Sequence, residues 1–190
     1  MVFERGFKTW CEKYSVQRRQ DLGLAAHDPL DARKLANHLG IRVWTPEEVP
    51  GLRAESLAVL LRSDGVTPSC WSAVTLVMGP RQVIILNSSH SAGRQSSDLM
   101  HELSHIIRGH AAQEVEVSEE GMMLLRDYDK QYEDEADWLA GCLLLPREAL
   151  LHIKRRRMEP EEAASLYGIS QRMLSYRMAV TGVGRLAAMS

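Results

Sequence analysis

Apolar residues recur every three or four positions along most of the chain, and one internal stretch instead alternates or is apolar on both faces. Between Phe7 and Leu22, the residues Phe7, Trp10, Cys11, Tyr14 and Val16 stand among charges, a spacing that predicts an amphipathic helix. Asp28-Pro29 then opens a shorter helix, with Leu30, Ala32, Leu35, Ala36 and Leu39 on one face and Gly40 as its stop. Ile41 to Trp44 reads as a strand. Ser56 to Leu61 reads as another, closed by Ser63-Asp64-Gly65. Trp71 to Met78 and Gln82 to Leu86 flank Gly79-Pro80-Arg81, which predicts a hairpin whose turn the proline makes wider than two residues. Val83 to Leu86 is apolar on both faces, as a buried strand is.

Past Asn87 the helical period returns. Leu99, Met100, Leu103, Ile106 and Ile107 form a stripe that Gly109 ends. Ala111 to Lys130 is polar and acidic and reads as a surface loop or flap. A second strong helix runs from Gln131 to Leu145 and stops at Pro146. Three more follow over Arg147 to Arg157, Pro160 to Tyr167 and Gln171 to Val180. The predicted fold class is α+β, with one domain over residues 1–146 and a helical region over 147–190 packed on it.

Composition narrows the class without naming a chemistry. The 190 residues are 45% apolar and 25% charged, with a net charge of −2, as in ordinary globular chains. That balance gives no global pull toward nucleic acid or membrane. Three widely spaced cysteines, Cys11, Cys70 and Cys142, make a disulfide framework unexpected and point to a reducing cytoplasm. Met1 to Cys11 has no apolar core of a signal peptide, and no run is long enough to span a bilayer.

The chemistry lies in His101-Glu102-Leu103-Ser104-His105, an H-E-x-x-H pattern inside a helix. Positions i and i+4 share a face, so His101 and His105 can ligate one metal while Glu102 stands beside it as the catalytic carboxylate. Zinc suits such a pair, since it lowers the pKa of a water to about 7. A catalytic zinc needs a third ligand and an open position. Glu133 on the next helix supplies the ligand, with Glu135 as runner-up, and Asp137 one turn on can accept the Nδ1–H of a ligating histidine. Against this stand a chance match on a surface helix and, for Glu133, an acidic cluster favoured at any helix N-terminus. His27, His38 and His90 read as surface residues, whereas His110 and His152 fall nearer the metal. Tyr128 and Tyr132 are candidates to stabilise the oxyanion. Cys70, just ahead of the strand beside the site, is a candidate fourth ligand that would hold the enzyme latent, against the commoner fate of a small buried residue.

With these residues in view the chain resembles the ImmA/IrrE family of metallopeptidases. The likeness runs through Pro29-Leu30-Asp31, Leu35 to Ile41, Trp71-Ser72-Ala73, Asn87, Arg94-Gln95 and the His101 to His105 motif. It ends in Glu133-x-x-Ala136-Asp137-Trp138-Leu139-Ala140 and Leu143-Leu144-Leu145-Pro146. The resemblance implies a thermolysin-like core, a small sheet on two zinc-binding helices. It also implies a helix-turn-helix-like region over Glu161 to Val180, turning at Gly168-Ile169-Ser170. The implied substrate is a helix-turn-helix repressor, whose cleavage releases a stress, mobile-element or phage-defence operon. The run Lys154-Arg155-Arg156-Arg157 reads first as a solvated helix face and otherwise as a patch for single-stranded DNA that activates the enzyme. The rival reading is a module that sequesters the repressor around a structural metal, which leaves Glu102 without a duty.

Overall fold

The computed structural model describes residues 3–61, 71–78, 81–110, 114–117, 123–126 and 129–186. Two helices open the chain, α1 (Phe7–Asp21) and α2 (Ala32–His38). The buried stripe of α1 is Phe7, Cys11, Ser15 and Arg19, each four residues after the last. Trp10, placed on that stripe by the sequence pattern, is exposed. Asp31 caps α2 by accepting the Lys34 N–H at 2.8 Å, so the helix begins three residues beyond Asp28-Pro29.

A three-stranded sheet follows, in the order β1 (Arg42–Trp44), β3 (Arg81–Leu86), β2 (Ala73–Met78). β1 runs parallel and β2 antiparallel to the central β3. Val83, Ile84 and Leu86 are buried, as their two-faced apolar pattern predicts. Met78 pairs with Arg81, so two residues separate the strands where the sequence predicts a wider turn. The segment read as a strand over Ser56 to Leu61 is instead a helix, α3 (Ala54–Leu61). Its alanines, leucines and glutamate are good helix formers, and Val59 is its only β-branched residue.

α4 (Ala92–Arg108) buries Leu99, Met100, Leu103 and Ser104, and ends on Gly109 in the left-handed region at φ 68°. The acidic stretch read as a loop or flap contains an antiparallel pair, β4 (Glu114–Val117) and β5 (Met123–Arg126). Glu114-Val115-Glu116-Val117 alternates with period two, a strand signal that the charge conceals. α5 (Lys130–Leu144) packs along α4 and is capped by Asp129, which accepts the Gln131 N–H at 2.8 Å.

Beyond Pro146 come α6 (Arg147–Arg156), α7 (Pro160–Tyr167) and α8 (Gln171–Val180). Ala149, Leu150, Ile153, Ala163, Tyr167 and Leu174 join one core cluster with Leu35, Ile84, Leu103 and Leu143. The architecture is therefore mixed α and β, mostly helical around a small sheet. Among the described residues no helix is long and apolar enough to cross a membrane.

Two buried cations close the C-terminal end of α5. Arg19 donates to the carbonyls of Leu143 at 2.8 Å and Asp28 at 2.8 Å, and to Ser15 Oγ at 2.6 Å. Burial lowers its pKa to about 10, with Tyr167, Asp28 and Glu12 opposing, so it stays charged at neutral pH. Arg177 of α8 donates to the Leu145 carbonyl at 3.1 Å and to Glu12 at 2.7 Å. A helix ends with unpaired carbonyls and partial negative charge, and these guanidiniums satisfy both. α5 is thereby fixed from α1 and α8 together.

Candidate metal centre

The four-residue spacing of His101 and His105 on α4 turns both rings toward α5, with their Nε2 atoms 3.0 Å apart. Glu133 meets them from the first turn of α5. Its Oε2 is 3.2 Å from His101 Nε2 and its Oε1 3.4 Å from His105 Nε2. The three residues offer ligand atoms all within 4.8 Å of one another. Ligands of tetrahedral zinc, about 2.0–2.1 Å from the ion, stand about 3.3–3.4 Å apart. The observed separations of 3.0, 3.2 and 3.4 Å fit that figure. Two imidazoles and a carboxylate are also a donor set for catalytic zinc. The three side chains keep 20–26% of their surface exposed, so the centre opens to the outside.

Further groups hold the ligands and flank them. Asp137 Oδ1 lies 2.9 Å from His101 Nδ1, which makes Nδ1 the protonated nitrogen and leaves Nε2 bare. Burial opposes a charge on His101, but the Asp137 bond and the Asp137, Glu102 and Glu133 carboxylates outweigh it and raise the pKa. His105 moves the other way, to about 4, through burial and the nearby His101 and His110 rings. It is therefore neutral at pH 7, with a lone pair to give. Glu102 is gripped from the sheet: Thr75 Oγ1 on β2 donates to Glu102 Oε2 at 2.5 Å. Burial raises the Glu102 pKa, Thr75 and His101 pull it down, and Glu133 and Asp98 add to the rise. A carboxylate shifted toward neutrality can both take and return a proton.

The other motif residues build the frame between β2 and α4. Asn87, fully buried, donates to the Trp71 carbonyl at 2.9 Å and accepts from Ser89 N–H and Oγ. Arg94 donates to Ser72 Oγ at 3.1 Å, and Gln95 to the His90 carbonyl at 2.7 Å. Trp71 Nε1 reaches the Leu60 carbonyl at 2.8 Å. These bonds seat the start of β2 against the start of α4, so that Thr75 can reach Glu102.

His101, Glu102, His105, Glu133 and Asp137 thus converge on one place. Glu135 does not join them. It is buried and receives Arg108 at 2.7 and 2.8 Å and Gln131 at 3.2 Å. Burial works against its charge, but the Arg108, Gln131 and His110 bonds prevail and lower its pKa. His110 stands beside the centre, with Nδ1 3.0 Å from His105 Nδ1. His152 stacks on His27 instead. His90 is no surface residue: 6% of its side chain is exposed, 3.5 Å from Asp98. Tyr132 lies flat on the His110 ring, 4.4 Å between centroids. Cys70 and Tyr128 lie outside the described residues, while Cys11 and Cys142 are buried free thiols. In the basic run Lys154 is engaged, donating at 3.0 Å to the carbonyls of Val183 and Gly184, whereas Arg155, Arg156 and Arg157 are exposed. The sequence reading missed Thr75 and Arg108, whose roles depend on contacts 27 residues away in each case.

Two histidines one helical turn apart, a carboxylate from the facing helix and a half-buried glutamate beside them define a metallopeptidase-like site. The family model described as Peptidase_M78, the IrrE N-terminal-like domain, matches residues 60–179, well over half of the chain. The protein belongs to that family. The matched segment carries every residue of the centre and extends past Pro146 through most of α8. No curated protein sequence matches the chain.

Proposed function

We propose that this protein is a zinc-dependent endopeptidase that cleaves one specific protein, a helix-turn-helix repressor, and so releases the genes it silences. The observation that carries the reading is the placement of Glu102. It is no member of the ligand triad, yet a 2.5 Å bond from Thr75 fixes its carboxylate next in sequence to His101, where a purely structural metal would need nothing. In this reading α4, α5 and the sheet form a thermolysin-like core. His101, His105 and Glu133 would hold zinc, which when bound would supply a Lewis acid and acidify a water. Glu102 is the group that would accept a proton from the attacking water and return it to the leaving amine.

β2 offers the place where substrate would lie. It is the outer strand of its sheet among the described residues, with Leu76 and Val77 exposed. An extended peptide added to that edge gains main-chain hydrogen bonds with little demand on its sequence. The repressor as target rests on the family resemblance. Single-stranded DNA as an activator would have to use Arg155, Arg156 and Arg157, since Lys154 is committed to the Val183 and Gly184 carbonyls.

The test is incubation of the purified protein with the repressor encoded beside it, with and without chelator, followed by mass spectrometry of the fragments. Discrete fragments are expected that vanish with chelator and return with zinc. His101→Ala and Glu133→Ala should each lose the stoichiometric zinc measured in the wild type. A repressor silenced but left whole, by wild type and chelated protein alike, would favour the sequestering module.

A further inference from the structure

We propose that His110 is a positioning residue for the metal, accepting the Nδ1–H of His105 and so holding that ring in the tautomer whose Nε2 is free to bind the ion. The inference rests on the metal-centre reading and extends it to a residue outside the ligand set.

The local sequence brings the two rings together. Gly109 ends α4 at φ 68°, a conformation that L side chains rarely adopt. The chain turns back there, and the His110 N–H bonds to the His105 carbonyl at 3.1 Å. The His110 side chain then lies against the helix it has just left, with Nδ1 3.0 Å from His105 Nδ1. Only 4% of that side chain is exposed, and Tyr132 covers one face in a parallel stack.

A bond between two imidazole nitrogens requires one donor and one acceptor, and the surroundings of each ring assign the same roles. His110 Nε2 faces Glu135 Oε2 at 3.4 Å. That carboxylate is an acceptor, which places the His110 proton on Nε2 and leaves Nδ1 as a lone pair. His105 Nε2 faces His101 Nε2 at 3.0 Å and Glu133 at 3.4 Å, the positions of fellow ligands. It must be bare to serve with them, so the His105 proton belongs on Nδ1, pointing at His110. Glu135 is itself held by two bonds from Arg108, whose guanidinium lies 5.0 Å from the Phe7 ring centroid and 5.2 Å from that of Trp10. The series Arg108, Glu135, His110, His105 thus runs from α1 to the centre. It stands to His105 as Asp137 stands to His101.

Two substitutions separate the hydrogen bond from the packing. His110→Phe keeps a ring on Tyr132 and loses the acceptor. His110→Asn loses the ring but places Oδ1 near the former Nδ1, so it can still accept from His105. Zinc affinity, measured by competition with a chromophoric chelator, should fall about 10–100-fold in His110→Phe. It should stay within about threefold of wild type in His110→Asn. Nitrogen NMR of the zinc-free protein should show His105 as the Nδ1–H tautomer in wild type and His110→Asn, and as a mixture in His110→Phe. Wild-type affinity in His110→Phe, or an unchanged His105 tautomer there, would overturn the proposal. Equal weakening in both variants would also overturn it, since the shape of the ring would then matter and not its acceptor. His101→Ala tests the centre separately, because it should lose zinc whatever His110 does. A wild-type chain that takes up no zinc sinks the centre and the positioning role together.

Discussion

Glu102→Gln is expected to bind zinc as the wild type does and to cleave its substrate at least about 10²–10⁴-fold more slowly. The substitution keeps the length and branching of the side chain. Its amide oxygen can still accept the 2.5 Å bond from Thr75, so the contact between β2 and α4 survives. The neighbouring ligands should also keep their places, because Asp137 and not Glu102 bonds to the His101 ring. What is lost is a group that can accept a proton and give it back. Burial raises the pKa of Glu102, against the pull of Thr75 and His101, so the wild-type carboxylate is poised for that exchange. The comparison needs two readings on one preparation: metal content, and the rate at which fragments appear. Undiminished cleavage would remove Glu102 from the chemistry. Loss of metal together with activity would show that the residue supports the site and does not act in it.

The H-E-x-x-H motif was legible because helical spacing is local. His101 and His105 share a face whatever surrounds them, and so do Glu133 and Asp137. The buried strand over Val83 to Leu86 and the stop at Pro146 were legible for the same reason, since each is a statement about neighbours in sequence. The misreadings arose where a short segment satisfies two rules. Ser56 to Leu61 is apolar enough for a buried strand, and only its paucity of β-branched residues, with Val59 alone, argues for the observed α3. Val115 and Val117 alternate as a strand does, but their glutamate partners gave the segment the look of a solvated loop. Contacts between distant elements were beyond reach where no motif called for them. Thr75 meets Glu102, and Glu135 turns away from the ligand triad to Arg108, because of how β2, α4 and α5 pack. Arg19 and Arg177 are the sharpest case, since nothing in the local sequence marks either as buried and only the carbonyls at the end of α5 account for both.

Arg177→Met is expected to cost about 2–4 kcal/mol, because it leaves the buried Leu145 carbonyl and the half-buried Glu12 carboxylate without their donor. In a chain of this size that lowers Tm by roughly 4–16 °C. Arg177 lies on α8, the second helix of the helix-turn-helix-like region that the family resemblance implies. The structure buries it completely. Its Nη2 donates to Glu12 at 2.7 Å and its Nε to the Leu145 carbonyl at 3.1 Å, so the guanidinium ties α8 to α1 and to the end of α5. Gly141 on α5 makes room for it: a Cβ there would come within 3.1 Å of Arg177 Cδ. A glycine inside a helix costs about 1 kcal/mol relative to alanine, and here that cost accommodates the cation. Methionine fills much of the same space but leaves the Leu145 carbonyl and Glu12 without their donor. Arg172→Met, at an exposed position of α8, is the matched control and should change stability by less than about 0.5 kcal/mol. In thermal melts the Arg177 loss should shrink in a Glu12→Gln background, because the two substitutions remove one shared interaction. Because α5 carries Glu133 and Asp137 at its other end, Arg177→Met should also weaken zinc retention as the melting point is approached. An Arg177→Met protein that melts with the wild type would show that the guanidinium carries no such structural duty.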